Sequence, residues 1–392
     1  MPNTLLTPTA VTREALRILH SKLSFVGSIV REYDDSFAKS GAKIGDSLKI
    51  RLPNQYTVRA GAALSTQDTD ESSVTLQVAT QKGVDLNFTS VDLTLSLDDF
   101  SKRILEPAMS VLAANMEADA MSMYKDVHQS IWNGGAAATL AKVLAGRKIL
   151  NDALAPSSDR TANLNTQDTI DLIDGLKGLF HDSKEVARQY REGFMGRTAG
   201  FDFTENTMWA AHVRGAAAGY LVNDTMASGD SSMDVDTGTG AIKKGDVFTI
   251  AGVFKVHPET KVSTGILQQF VVTADHAGGA GTISFSPAMI STGARQNVSA
   301  LPANNDPVTF QGAASSAVGT SLLYQKEAFA FATADLVMPS GVDFARREVL
   351  DGISMRIVRQ YDINNDKFPC RLDVLYGYKT IRPQLACRIH NN

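Results

Sequence analysis

The feature that most constrains this chain is a change of hydrophobic period in its middle. From about Leu221 to Thr320 the composition shifts to Gly, Ser, Thr, Asp and Val, and short alternating runs appear. The clearest lies between Lys243 and Asp275, KKGDVFTIAGVFKVHPETKVSTGILQQFVVTAD. Short runs at regular spacing, broken by turn residues, predict a small antiparallel barrel or sandwich. Helical segments dominate much of the sequence before it. Two further alternating runs, Ile353–Tyr361 and Arg371–Ile381, close the chain around the polar loop DINNDKFP. The β module is therefore expected as an insertion in a parent fold that begins before it and finishes after it.

The parent segments read as follows. Thr12 is expected to cap a short amphipathic helix reaching Lys22, with Leu16, Leu19 and Leu23 on one stripe. Such an arm has little core of its own and is expected to lie on a neighbour. From Asp46 to Leu97 the period is two. Val74, Leu76 and Val78 alternate, then Val84, Leu86 and Phe88, with a turn expected at Gln81-Lys82-Gly83. The phase then slips by one at Val91, Leu93, Leu95 and Leu97, which predicts a bulge or break near Thr89-Ser90. Polar Arg59–Ser73 reads as the exposed tip of a long hairpin. Ser96 is the expected cap of a spine helix over 98–131, with Asp98 and Asp99 in its first turn. Its stripe is Leu105, Met109, Leu112, Met116, Ala120, Met123, Val127 and Ile131. Unbroken, it would span roughly 45 to 50 Å, with Pro107 a point for a kink. The methionines on this stripe are read as core packing. Two more helices are expected near Ala137–Ala153 and Thr166–His181. Gly193, Gly196 and Gly200 suggest turns feeding a strand.

Chemistry is sparse. There is no G-x-S-x-G elbow, no HExxH and no phosphate-binding loop, so no catalytic, cofactor or metal residues are expected. His212 has no second ligand near it in sequence. Asp234, Asp236 and Gly238 hint at a calcium loop, but the twelfth position from Asp234 is Gly245 where a bidentate Glu is required. Cys370 and Cys387 form no zinc pattern and read as buried thiols. Arg346, Arg347, Arg356 and Arg359 could contact phosphate. Ion pairs at subunit seams are favoured, because Glu348, Asp351 and Asp362 lie in the same segment. A net charge of −4 does not suggest a dedicated nucleic-acid binder. The N-terminus lacks a signal-peptide pattern, and no run of ~18 apolar residues predicts a membrane helix.

Several stretches together resemble tailed-bacteriophage major capsid proteins. YREGFMGRTAGFDFTEN (190–206) is similar to that family's Tyr-Arg-x-Gly…Gly-Phe segment. LLYQKEAFAFATADL (322–336) is similar to its aromatic-x-Lys-x-Ala-Phe-Ala strand. RLDVLYGYKTIRPQLACRI (371–389) resembles its closing strand, with Gly377, Arg382 and Pro383 in place. IKKGDVFTIAGVFKV (242–256) is similar to the inserted barrel of the short-tailed-phage coat-protein branch.

The resemblance implies an α+β tailed-phage capsid fold with an inserted antiparallel β-barrel. Its parts map to an N-terminal arm (1–44), an extended hairpin (45–83), a peripheral domain with the spine helix (84–133), an axial domain (134–221), the inserted barrel (222–322) and closing axial and peripheral strands (323–392). It implies a coat protein with no enzymatic activity that self-assembles into hexamers and pentamers of an icosahedral shell in the host bacterial cytoplasm. The implied partners are further copies of the chain, a separate scaffolding protein, a portal protein and double-stranded DNA held without sequence preference; a decoration protein stays open. A separate scaffold is expected because only some 45 residues precede the hairpin. Lys82 is the only lysine between Lys49 and Lys102 and sits away from the tip, so no covalent cross-linking is expected. The short stretch between Asn223 and Ile242 leaves little loop to bridge capsomers. The alternative is a virion receptor- or carbohydrate-binding protein, which would need an exposed aromatic cluster on the insertion. Phe248, Phe254, Phe270, Phe285 and Phe310 instead alternate like core residues.

Overall fold

The computed structural model describes residues 8–31, 47–59, 61–64, 66–68, 71–89, 101–176, 196–364 and 367–391. The chain divides into two compact units. The first comprises 1–50, 73–121 and 329–381; the second comprises 51–72, 122–328 and 382–392.

The first unit is organised by one strand, Lys367–Thr380. Strand Thr80–Thr89 pairs along one edge, from Thr89 opposite Lys367 to Thr80 opposite Tyr376. The other edge is shared by Ile353–Arg359, opposite residues 370–373, and Phe329–Ala334, opposite residues 375–380. Strand Phe344–Leu350 completes the antiparallel sheet through a hairpin. Its two-residue turn, Asp351-Gly352, has φ of 50° and 77°, as a turn matched to strand twist requires. The expected turn at Gln81-Lys82-Gly83 is not there; those residues lie inside Thr80–Thr89. Gly83 marks close approach instead, because a Cβ would collide with the Leu372 carbonyl and the Asp373 carboxylate. A separate pair, Ser47–Arg51 with Ser73–Gln77, forms the base of the polar loop.

The spine is shorter than its apolar stripe. A π-helical turn, Ser101–Leu105, leads into an α-helix over Glu106–Met121, followed by a 3₁₀ segment, Ser122–Asp126. Sixteen α-helical residues rise about 24 Å. The stripe is buried from Leu105 to Val127, but Ile131 belongs to a strand, Ser130–Trp132. A stripe of this kind records burial and not continuity of the helix. Pro107 has no N–H for the preceding turn, and the π turn lies directly before it. The expected cap at Ser96, the first-turn Asp98 and Asp99, and the break at Ser90 lie outside the described residues.

The arm also departs from expectation. Its helix runs from Pro8 to Lys22, so Thr12 is interior and buried rather than a cap. It packs on the spine helix and on strands 344–350 and 353–359 of its own chain. Ala15, Leu16, Ile18, Leu19 and Leu23 are buried, as are Phe25, Val26 and Ile29. These side chains are covered within the chain itself. Two polar clamps fix it. Glu117, on the buried face of the spine, accepts the Phe25 and Val26 N–H groups at 3.0 and 3.1 Å. Asp351, in the hairpin turn, meets His20 Nε2 at 2.8 Å and Arg31 Nη2 at 2.7 Å. These partners, the His20 contact first, hold its carboxyl below the usual range.

The second unit contains a mixed seven-stranded sheet. Its path runs Ser130–Trp132, Ala386–Asn391, Ala317–Gln325, Arg160–Leu164, Phe201–Glu205 and Arg197–Thr198, and His212–Val213 also pairs with Ala317–Gln325. The helices expected near 137–153 and 166–181 are Leu140–Asp152 and Thr166–Leu176; residues 177–195 lie outside the description. Gly146 lets the first of them approach the sheet, since a Cβ there would strike Leu323.

The same unit carries a six-stranded antiparallel sheet in the order Val308–Phe310, Val247–Val256, Ser263–Val272, Gly281–Met289, Asp230–Asp236 and Leu221–Val222. Its end strands meet, with Val308 N–H on Tyr220 O at 2.9 Å and Val222 N–H on Asp306 O at 3.0 Å. The sheet is therefore a nearly closed barrel. Phe248, Phe270, Phe285 and Phe310 fill it, in edge-on and stacked contacts of 5.4–5.9 Å between ring centres. Phe254 is only half-buried.

Polar groups lie deep in the second unit. Arg388 is fully buried, 5.9 Å above the Tyr124 ring, and its guanidinium nitrogens have no hydrogen-bond partner among protein atoms. Burial lowers its pKa to about 10, so it stays charged at neutral pH. His128 and His390 are buried too. Desolvation, then the Lys255 and Arg388 charges, lowers His128 to about 3. Burial, then the Arg388 charge, puts His390 well below its ordinary value.

Two outcomes follow from these contacts. Glu117→Gln places an amide NH₂ against one of the two N–H donors and should cost about 1.5–3 kcal/mol, read by urea unfolding of the subunit. The histidines set a pH dependence. Their folded pKa values lie below the unfolded value of 6.5, so below that pH the unfolded chain binds protons that the native one refuses. Stability should fall by about 1.4 kcal/mol per pH unit for each such histidine, and His128 sustains this down to about pH 3. His128→Gln should remove one histidine's share of the slope between pH 6.5 and 5; an unchanged slope would show that His128 is protonated in the folded protein.

Candidate functional site

The residues with possible chemistry are dispersed. His212 is buried, with Nε2 3.2 Å from Asp246 Oδ1 and Nδ1 3.3 Å from the Tyr124 hydroxyl. Asp246 Oδ2 accepts the Gly215 and Lys243 N–H groups at 3.0 and 2.9 Å. His212 is thus part of a structural polar cluster that joins strand His212–Val213 to the turn entering Val247–Val256. Lys125, Lys243 and Lys244 edge an open groove of about 570 Å³ above it. Asp234 lies in strand Asp230–Asp236 rather than in a loop, and Thr282 Oγ1 donates to it at 2.5 Å from the paired strand. Among the described residues no group of three or more His, Cys, Asp or Glu side chains is placed to hold a metal ion. Cys370 and Cys387 are free and buried, in different units, and desolvation pushes both thiols up to about 12.

Within the chain, Arg346, Arg347 and Arg356 form ion pairs inside the first unit. Arg356 Nη2 meets buried Asp373 at 2.7 Å, and Arg371 Nε meets the same carboxylate at 3.0 Å. Arg347 reaches buried Asp335 at 3.1 Å, and Arg346 reaches Glu348 at 2.9 Å. Arg359 lies over Phe368 and Phe344, at 5.2 and 5.9 Å from their ring centres. Asp335 and Asp373 were not legible as partners, because only the folded sheet brings them beside Arg347 and Arg356. Lys82 is held by Asp119 at 2.7 Å, and the Tyr376 hydroxyl donates to the same carboxylate at 2.5 Å.

What the chain exposes is more informative than what it buries. The segment 52–72 is tied to itself. Leu52 N–H meets Ser72 O at 2.8 Å, and the Gln67 amide bonds both backbone groups of Thr57 at 2.8 and 2.6 Å. Arg59 Nη1 donates to Ala63 O at 2.9 Å and to Gly61 O. Yet its apolar side chains are uncovered: Val58 is 97% exposed, Leu64 85% and Tyr56 58%. Val337 and Ile363, in the first unit, are 78% and 80% exposed. Ile363 sits in the polar loop before Lys367–Thr380, whose strand already includes the last residues of DINNDKFP. Three large apolar side chains exposed on one loop are unusual enough to suit burial against another protein.

The chain was compared with known proteins. The P22 coat protein family, described as "P22 coat protein - gene protein 5", matches residues 25–388. No curated protein matches. Among solved structures, similar chains come from Mycobacterium phage Che8 (12% identity, TM-score 0.47, covering 94% of this chain and 90% of that one) and from the capsid of Cyanophage P-SCSP1u (10%, 0.40, 94% and 92%). Another is the mature capsid of bacteriophage PhiM1 (10%, 0.42, 88% and 82%). The assignment rests on the family match, which begins after the arm helix and runs through the spine, the barrel and the closing strands. The chain belongs to the P22 coat protein family and is a major capsid protein that forms a phage shell.

Proposed function

We propose that this coat protein assembles into hexamers and pentamers of an icosahedral shell around double-stranded DNA. The observation that carries the reading is the uncovered set Tyr56, Val58 and Leu64 on one self-bonded loop. Burying side chains such as Val58 and Leu64 fully is worth about 1.5–3 kcal/mol each, and each closed ring repeats the contact at every subunit. In this reading the arm is 1–44, the hairpin 45–83, the peripheral domain 84–133, the axial domain 134–221, and the inserted barrel 222–322. Residues 323–392 close the axial and peripheral domains. A subunit of net charge −4 suits a container that holds DNA without gripping its phosphates. The role is structural rather than catalytic, consistent with thiols held protonated by burial and a His212 committed to Asp246. The receptor-binding alternative has no observation in its favour, because four of the five insertion phenylalanines are barrel core.

A separate scaffolding protein guides assembly in the host cytoplasm, and a portal protein occupies one vertex. The shell is held without covalent cross-links, in keeping with Lys82 being paired to Asp119. Scaffold contact with the arm is partly ionic. Arg13, Arg17 and Lys22 make only exposed or long-range pairs, such as Arg13 with Glu348 at 3.9 Å, and such pairs are weak and salt-screened. Glu32, Asp34 and Asp35 of the arm lie outside the described residues.

The double variant Val58→Asp, Leu64→Asp should leave the subunit folded, with an unfolding midpoint near that of the unaltered chain, while abolishing shells in electron micrographs. Shells of normal size from the variant would remove this loop from the interface. Expression of the chain alone should give spirals, mixed sizes or free subunits, and co-expression with the scaffold should give uniform shells whose denaturing gels show single chains only. Uniform shells from the lone protein would count against a scaffold.

A further inference from the structure

We propose that the seam of the inserted barrel is a binding site for an extended, apolar peptide segment that carries one carboxylate. The barrel closes along only part of its length. Gln311 N–H reaches Val247 O at 2.8 Å, and Ala251 N–H reaches Pro307 O at 3.2 Å. With Thr309 opposite Thr249, residues 307, 309 and 311 turn their backbone groups toward Val247–Val256. By strand alternation, Val308 and Phe310 turn theirs the other way, into the seam. Val308 N–H finds Tyr220 O there at 2.9 Å. One pairing step further, the opposite strand would have to offer Ala218. It does not, because Ala218 exchanges both backbone hydrogen bonds with Thr239, at 3.0 Å each. The seam therefore splits at Tyr220 and Val308, and the Phe310 N–H and C=O are left facing a groove of about 490 Å³.

The groove is built like a site. Its rim is exposed at Ala218, Gly219, Pro307 and Thr309, and its floor is buried at Tyr220, Val308 and Phe310. Arg214 lines it and is only 6% exposed. The Arg214 guanidinium gives Nη2–H to Ala217 O at 2.7 Å and lies 5.6 Å from the Phe310 ring centre, but its Nε–H has no partner. Among the described residues no carboxylate lies within ion-pair distance of it. The nearest charge influence, Asp246, is committed to Gly215, Lys243 and His212. A buried guanidinium that lines a groove, with one N–H unpaired and no carboxylate beside it, calls for an anionic partner, and a carboxylate supplies it through a charge-assisted bond. The split strand edge calls for a backbone. A peptide laid beside Val308–Phe310 would satisfy the Phe310 N–H and C=O as an added strand does, whereas an alkyl chain would bury them unpaired. The occupant is thus the strand-like segment of a partner protein.

The test uses the full-length subunit and blocked tetrapeptides, observed by the NMR signals of the Phe310 amide and the Arg214 Nε–H. Acetyl-Leu-Thr-Val-Glu-amide should shift both signals saturably. Its Gln counterpart should bind about tenfold more weakly, and a version N-methylated along its backbone should lose the Phe310 shift. Arg214→Met should bind the Glu and Gln peptides alike. Should that variant fail to fold, the comparison of the three peptides on the unaltered chain still decides. No shift at millimolar peptide, undiminished binding of the N-methylated peptide, or equal occupation by octanoate would each overturn the proposal.

Discussion

The strand Lys367–Thr380 is the constraint on which the first unit depends. One of its edges is covered by Thr80–Thr89 and the other by strands drawn from 329–334 and 353–359. Every backbone group along it needs a partner once buried, and those partners come from positions nearly three hundred residues apart. The chain must therefore return after its insertion before the unit can close. Gly83 and Gly377 show how tight the fit is, since a Cβ at either would meet backbone atoms of the neighbouring segment. Pairing of such long range is slow to form and leaves strand edges open meanwhile. An inserted barrel that closes on its own core of phenylalanines offers a locally complete unit within that slow process.

Charge is used inside each unit more than between positions readable in sequence. Arg356 and Arg371 share Asp373, and Arg347 takes Asp335, whose other oxygen accepts from Ser354 Oγ at 2.7 Å. Buried carboxylates with several charge-assisted donors are costly to break, because the survivor is left uncompensated. They fix the register of the sheet rather than adding much net stability. Glu117 does comparable work for the arm. It turns two N–H groups of a short helical turn toward the spine, and its removal would leave both donors buried.

Local pattern was legible in the sequence wherever burial alone decides it. The alternation between Val247 and Val272 gave two true strands, and the stripe from Leu105 to Val127 gave a truly buried face. Where the outcome depends on distant partners, the same reading failed. Gln81-Lys82-Gly83 looks like a turn, but its glycine answers to Leu372 and Asp373. Thr12 looks like a cap, but the helix begins at Pro8 and its apolar face is completed by its own sheet. The stripe could not tell a helix of 34 residues from an α-helix that tightens into a 3₁₀ turn and then a strand, because Met123 and Val127 are buried in either case. Arg214 carried no sequence signal at all. Its significance comes from Ala218 being diverted to Thr239, a pairing that only the folded barrel defines.

The exposed apolar groups and the unfinished seam are the same physical situation at two scales. Around Thr57 and Gln67 the loop bonds to itself while Val58 and Leu64 stay in water. In the seam, the apolar core is complete while the Arg214 Nε–H lacks an acceptor and the strand pairing stops short of Phe310. The first deficit is hydrophobic and non-directional, so it suits a contact that identical neighbours repeat and that can form, slip and re-form while a shell grows. The second is directional. It is satisfied only by a segment with the right hydrogen-bond register and charge, and the desolvation of mismatched groups penalises any other occupant. A shell protein can therefore grow through many weak, forgiving contacts and still keep a separate, selective place for one extended partner.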